Sequence, residues 1–242
     1  MVRPPTWSPP SNGSFREDRQ EIATLIGIAI ISIVLWQSPW GGYLLYPLTI
    51  LSTWFHEMGH GLAALALGLT FDRLVILPDG SGYALSYGAG PLSRMEQATI
   101  AASGLLSPTM AGCLLIVASR SEQGQRAALS VLAGSLALSL LLYVRSLTGW
   151  LVLPPLAIAA AILAARGQRH VRALAVQVLG VQGCISVYRD LGYLFSPGGP
   201  AGRSDTGQIE DALALPYWVW GTLITVIILV MVTAALRYAH RR

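Results

Sequence analysis

Two histidines one helical turn apart, with a glutamate beside the first, are the residues best placed to do chemistry. The segment reads Phe55-His56-Glu57-Met58-Gly59-His60-Gly61. Histidines at i and i+4 of a helix share one face. There the two imidazoles can bind one Zn²⁺, each at about 2.0–2.1 Å. Glu57 lies where its carboxylate can take a proton from a metal-activated water and later pass it to a leaving amine. The chemistry is hydrolysis of a carbonyl compound, an amide above all. A bare motif of this kind occurs by chance in soluble proteins, but here the residues that follow are Leu62-Ala63-Ala64-Leu65-Ala66-Leu67. Ionisable groups inside an apolar helix are costly without partners. The plainer alternative is a hydrogen-bonded structural cluster; a divalent cation neutralises and ligates the groups directly.

The elements that must carry this segment are membrane-spanning. Of 242 residues 53% are hydrophobic and 12% charged, against about 25% charged in soluble domains. Apolar runs near the 20 or so residues that a bilayer crossing needs occur at about 22–36, 43–67, 97–118, 127–143, 147–165, 171–195 and 214–236. The pair 127–143 and 147–165 reads as two short spans or one broken element. The expected fold is an all-α polytopic bundle of about six or seven transmembrane helices. Residues 1–20 read as a disordered tail, 21–237 as a single membrane domain, and 238–242 as a basic tail. Run 22–36 reads as a retained span, since its leader is long and no small-residue cleavage site follows. After Gly68, Arg73 to Leu77 and Tyr83 to Tyr87 flank Pro78-Asp79-Gly80, which predicts a β-hairpin next to the motif helix.

Composition also excludes functions. All 16 basic residues are arginine, and none forms a stripe with interleaved aromatics; nucleic acid is not an expected partner. Together with abundant alanine and glycine, this points to a GC-rich bacterial genome and a multi-pass protein of the cytoplasmic membrane. Cys113 and Cys184 sit in apolar stretches outside any C-x-x-C pair and read as small buried apolar residues. Six of the seven tryptophans, Trp36, Trp40, Trp54, Trp150, Trp218 and Trp220, read mostly as an interfacial belt. Arginines flank both termini and several loops; with seven alternating spans they cannot all lie on one side.

The segment from Phe55 to Ala64, ending in Gly68, resembles the active-site helix of the site-2 protease family of intramembrane zinc metalloproteases. The glycine-bearing hairpin and Ala102-Ser103-Gly104-Leu105-Leu106 are similar to its compact bacterial B-type branch. The likeness covers residues 43–112. It implies His56 and His60 as zinc ligands, Glu57 as catalytic base, and a membrane protein or peptide as substrate. Such proteases supply a third ligand from a later aspartate in a Leu-Asp-Gly context, which is absent here. Asp190, inside an apolar run, and Asp205, in Ser204-Asp205 before the last helix, are rival candidates. Asp190 otherwise pairs with an arginine, and Asp205 otherwise caps a helix. The alternative function is an inactive membrane scaffold keeping the protease-like fold. A di-iron desaturase needs about eight clustered histidines, and the chain has four. A transporter lacks support, because no repeat pairs the halves. Oligomeric state has no sequence signal.

Overall fold

A computed structural model describes residues 12–189, 191–199 and 202–240. Helix α1 spans Asn12–Trp36, α2 Gly41–Leu44 and α3 Tyr46–Ala66; strands β1 and β2 span Thr70–Ile76 and Gly82–Tyr87. Next come α4 (Arg94–Ala118), α5 (Glu122–Leu142), α6 (Leu147–Arg166), α7 (Arg169–Arg189) and the single turn α8 (Leu191–Leu194). The chain closes with β3 (Gly198–Gly199), β4 (Gly202–Arg203), α9 (Asp205–Leu213) and α10 (Tyr217–His240). Among the described residues α4, α5, α6, α7 and α10 are long and apolar enough to cross a membrane. The protein is an all-α polytopic membrane protein with a small antiparallel hairpin after the motif helix. α3 is not among those five, because His56, Glu57 and His60 interrupt its apolar sequence.

Several boundaries differ from the sequence reading. α1 is helical from the first described residue, Asn12, within the stretch read as a tail; the run Arg16-Glu17-Asp18-Arg19-Gln20-Glu21 favours helix. The pair 127–143 and 147–165 is two helices, each started by a serine cap: Ser121 accepts from Gly124 N–H and Ser146 from Gly149 N–H. Trp54 is not at an interface. It is 3% exposed, and its Nε1–H donates to Ser139 Oγ at 2.9 Å, tying α3 to α5.

Close helix packing relies on missing side chains. A methyl group on Gly112 would come 2.6 Å from the Gly180 carbonyl oxygen and 2.7 Å from Cys184 N. One on Gly183 would meet the Pro108 carbonyl at 2.6 Å. α4 and α7 therefore run antiparallel, backbone against backbone, as small residues permit in lipid. α3 lies antiparallel on the other side of α4. Ser107 Oγ is 2.7 Å from the Phe55 carbonyl and Ser103 Oγ is 3.0 Å from the Gly59 carbonyl. Ser107 Oγ also lies 3.1 Å from the Gly104 carbonyl, whose usual helical donor is removed by Pro108.

The hairpin lies along α3. Phe71 occupies the space that Gly61 leaves, and Thr53 Oγ1 donates to the Gly80 carbonyl at 2.5 Å. Gly80 has φ +89°, a conformation the turn requires and glycine adopts without strain. The Ser81 N–H and hydroxyl both bond the Asp79 carboxylate, holding its pKa below the ordinary value. The outer edge of β1 is taken by the α5–α6 loop: Leu74 N–H donates to the Tyr143 carbonyl at 2.8 Å and Arg145 N–H to the Leu74 carbonyl at 2.9 Å. Lipid offers no hydrogen bonds, so this pairing keeps the strand's backbone satisfied.

Substituting Gly112→Ala forces the α4–α7 backbones apart. The expected result is a loss of about 1–3 kcal/mol, read as a lower unfolding midpoint in detergent, with Gly134→Ala, which meets no neighbour within 4 Å, as the neutral control.

Candidate metal centre

His56, Glu57 and His60 sit in the middle of α3. His60 Nδ1 lies 2.7 Å from the Ile100 carbonyl of α4. A carbonyl can only accept, so Nδ1 carries the proton and Nε2 presents a lone pair. Fixing one ring nitrogen in this way is how proteins orient a metal-binding imidazole. The ring has room because residue 104 is glycine. A methyl there would come 2.2 Å from His60 Cε1.

Asp205 completes the group. His56 Nε2 lies 3.0 Å from Asp205 Oδ2 and 3.0 Å from His60 Nε2, and His60 Nε2 lies 3.4 Å from Asp205 Oδ1. Among the described residues these three form a group of donor atoms, within 4.8 Å of one another, that could hold a metal ion. Ligands at about 2.0–2.1 Å from a tetrahedral ion stand roughly 3.3–3.4 Å apart, close to the separations seen. The donor chemistry fits zinc: two imidazoles and one carboxylate, with a fourth position left for water or substrate. Asp205 is 2% exposed, and its Oδ2 makes no hydrogen bond. Only the motif imidazoles face this buried carboxylate oxygen, with His56 Nε2 at 3.0 Å, a pairing that a shared cation would strengthen.

Asp205 is held by its neighbours rather than by its own helix-capping. Ser204 is the N-cap of α9, accepting from Gly207 N–H, and its hydroxyl bonds the Ser196 carbonyl. The capping role weighed for Asp205 thus belongs to Ser204. Asp205 stands one residue later, where its N–H donates to the Tyr193 hydroxyl at 3.2 Å. Thr206 Oγ1 donates to the Leu194 carbonyl at 3.0 Å. Ile209 and Ala212 press the helix onto Ala98 and Ala101 of α4. Asp190, the rival candidate, lies outside the described residues.

Glu57 is 5% exposed and borders a cavity of about 370 Å³ together with His56. The other walls include Gly80 of the hairpin turn, Pro108 of α4, Arg189 and Tyr193. Gly82 leaves space for the glutamate: a methyl there would lie 3.1 Å from Glu57 Cγ. Sequence reading named Arg189 only as a pairing partner for Asp190 and did not single out Tyr193 or the Ile100 carbonyl. A backbone carbonyl carries no residue-type signal, and Tyr193 reaches the site through a loop closure that no spacing encodes.

A membrane bundle with a glutamate beside a His/His/Asp group is the arrangement of a membrane metalloprotease. Residues 25–235 match the family model described as Peptidase M50B-like. The chain belongs to that family, of the site-2 protease type. No curated protein and no solved structure matches the chain.

Purified protein is expected to take up about one zinc per chain. Asp205→Ala should lower the affinity by more than the roughly 10- to 100-fold that loss of a hydrogen-bond partner behind a ligand costs, while Asp211→Ala leaves it unchanged. Gly104→Ala should weaken it by displacing the His60 ring. Metal analysis after dialysis against graded chelator checks all three.

Proposed function

We propose that this protein is an intramembrane zinc endopeptidase that hydrolyses peptide bonds of membrane proteins or peptides within or beside the bilayer of a bacterial cytoplasmic membrane. The observation that carries the reading is the convergence of Asp205, from a different helix, on the two motif histidines. Nothing but a shared cation explains a buried carboxylate and two imidazole nitrogens at 3.0–3.4 Å as economically. His56, His60 and Asp205 are the residues that would hold zinc. The metal would supply Lewis acidity, making a water nucleophilic near neutral pH and polarising the scissile carbonyl.

The remaining chemistry falls to the chain. Glu57 borders the same cavity as His56 and is the general base. It accepts the proton of the attacking water and donates it to the leaving amine. Its burial limits competing water. His60 Nδ1–H, locked on the Ile100 carbonyl, keeps Nε2 aimed at the metal. The hairpin positions the substrate. The outer edge of β1 is taken by the α5–α6 loop, whereas β2 presents the exposed side chains of Tyr83, Leu85 and Tyr87. An extended substrate segment adds to that edge by backbone hydrogen bonds.

Glu57→Gln tests the reading. The variant should retain zinc and lose hydrolysis of a reconstituted membrane substrate by about 10²–10⁴-fold. Unchanged cleavage rejects the mechanism. A wild-type protein that folds, binds no zinc and cleaves nothing is a scaffold.

A further inference from the structure

A second cavity runs between α5, α6 and α7 and shares no lining residue with the one beside Glu57. It holds about 340 Å³, within the roughly 300–1,000 Å³ typical of ligand sites. Its floor is Leu129 of α5 and Leu51 of α3, and its sides are Ala159 and Leu163 of α6 and Leu174 and Ala175 of α7. The space exists because alanines on α6 and α7 are too short to fill it. Every lining residue is Leu, Ala or Val. Water makes no hydrogen bonds there, whereas a hydrocarbon chain fits the chemistry. The groove opens outward, since Ala159 and Leu174 are exposed.

Its long axis follows the helices and starts at their ends. On α6 the lining reaches back from Leu163 to Leu156, and on α7 it runs from Val171 to Leu179. From Arg166, which ends α6, to Leu156 is about 15 Å of helix, half of a hydrocarbon core roughly 30 Å thick. The groove thus has the depth of one leaflet. Its mouth is charged. Arg166 follows Leu163 by three residues and Ala159 by seven, so it shares their face of α6; it is exposed and has no acidic partner among the described residues. Arg169, also exposed, lies 3.4 Å from Glu122 of α5. Arg172 is buried: its Nη1 donates to the Gly167 carbonyl, its Nη2 lies 3.6 Å from Glu122, and its Nε has no hydrogen-bond partner. At the α6–α7 turn one carboxylate therefore meets three guanidinium groups, at the head of a hydrocarbon slot.

We propose that this groove binds an anionic phospholipid, with one acyl chain laid along Ala159 and Ala175 and the phosphate held by Arg166 and Arg169. A phosphodiester offers paired acceptor oxygens, which the planar guanidinium fork matches. Basic groups at the ends of transmembrane helices attract anionic headgroups. A zwitterionic lipid with the same chains fills the slot equally well but brings no net charge to the excess of arginine. The bound chain completes the packing between α6 and α7. It also reaches Leu51, five residues before His56 on the helix that carries the motif. The site stands apart from the proteolytic reading and does not depend on it.

The test uses full-length protein in a mild detergent, equilibrated with phosphatidylglycerol and phosphatidylcholine of identical acyl chains. Native mass spectrometry counts the lipid retained per chain. Wild type is expected to keep phosphatidylglycerol in preference to phosphatidylcholine. Replacing Arg166→Gln and Arg169→Gln together should cut phosphatidylglycerol retention by about 5- to 25-fold, the worth of one or two arginines near an anionic headgroup, and leave phosphatidylcholine unchanged. Ala159→Phe fills the groove from its exposed side and should lower retention of both lipids. Arg94→Gln, at the start of α4, and Ile158→Phe, exposed on α6 outside the groove, should behave as wild type. Equal retention of the two lipids by wild type overturns the site. So does undiminished phosphatidylglycerol in the double arginine variant or in Ala159→Phe. Displacement of the lipid by inorganic phosphate at constant ionic strength would assign the arginines to free phosphate and overturn it too.

Discussion

A carboxylate and two imidazoles brought within 3.4 Å of one another inside an apolar bundle set the terms for everything around them. Left alone, such a cluster is costly, because buried ionisable groups lose their hydration and recover only part of it from one another. A divalent cation turns the same atoms into a favourable site, and metal affinity becomes part of the energy of closing the fold. The helices that bring the donors together, α3 and α9, both pack on α4.

α4 is accordingly the element with the most exacting surface. Toward α3 it offers the Ile100 carbonyl, the bare Cα of Gly104 and two serine hydroxyls. Toward α7 it offers Gly112, and toward α9 the small Ala98 and Ala101. Each small residue lets a backbone or a ring come close, so helix packing and ligand positioning rest on the same residues. A larger side chain at position 104 would disturb the His60 ring before it disturbed the bundle.

The hairpin solves a different problem. Strand backbone at membrane depth must not meet lipid unpaired. Here β1 is covered by β2 on one edge and by Val144 on the other, while α3 supports the sheet from below through Thr53 and Gly61. The strand pair can therefore stand beside the cavity. The loop that seals β1 is the short link between α5 and α6. The sequence left open whether that stretch was broken, and in the fold its break has a use.

Much of this was legible beforehand. Apolar runs mark their own helices, because bilayer thickness imposes a length and lipid imposes a composition. The i and i+4 spacing fixed His56 and His60 on one face, since that relation is local to a single turn. The hairpin followed from Pro78-Asp79-Gly80 between β-prone runs. What needed the tertiary structure was every relation between distant segments. Asp205 stands 145 residues after His60, and Ser204-Asp205 reads equally as a cap or a ligand until the helix is docked. Local sequence encodes periodicity and solvent preference; which faces meet is decided by packing, where a missing methyl at Gly104 or Gly112 counts for more than any motif.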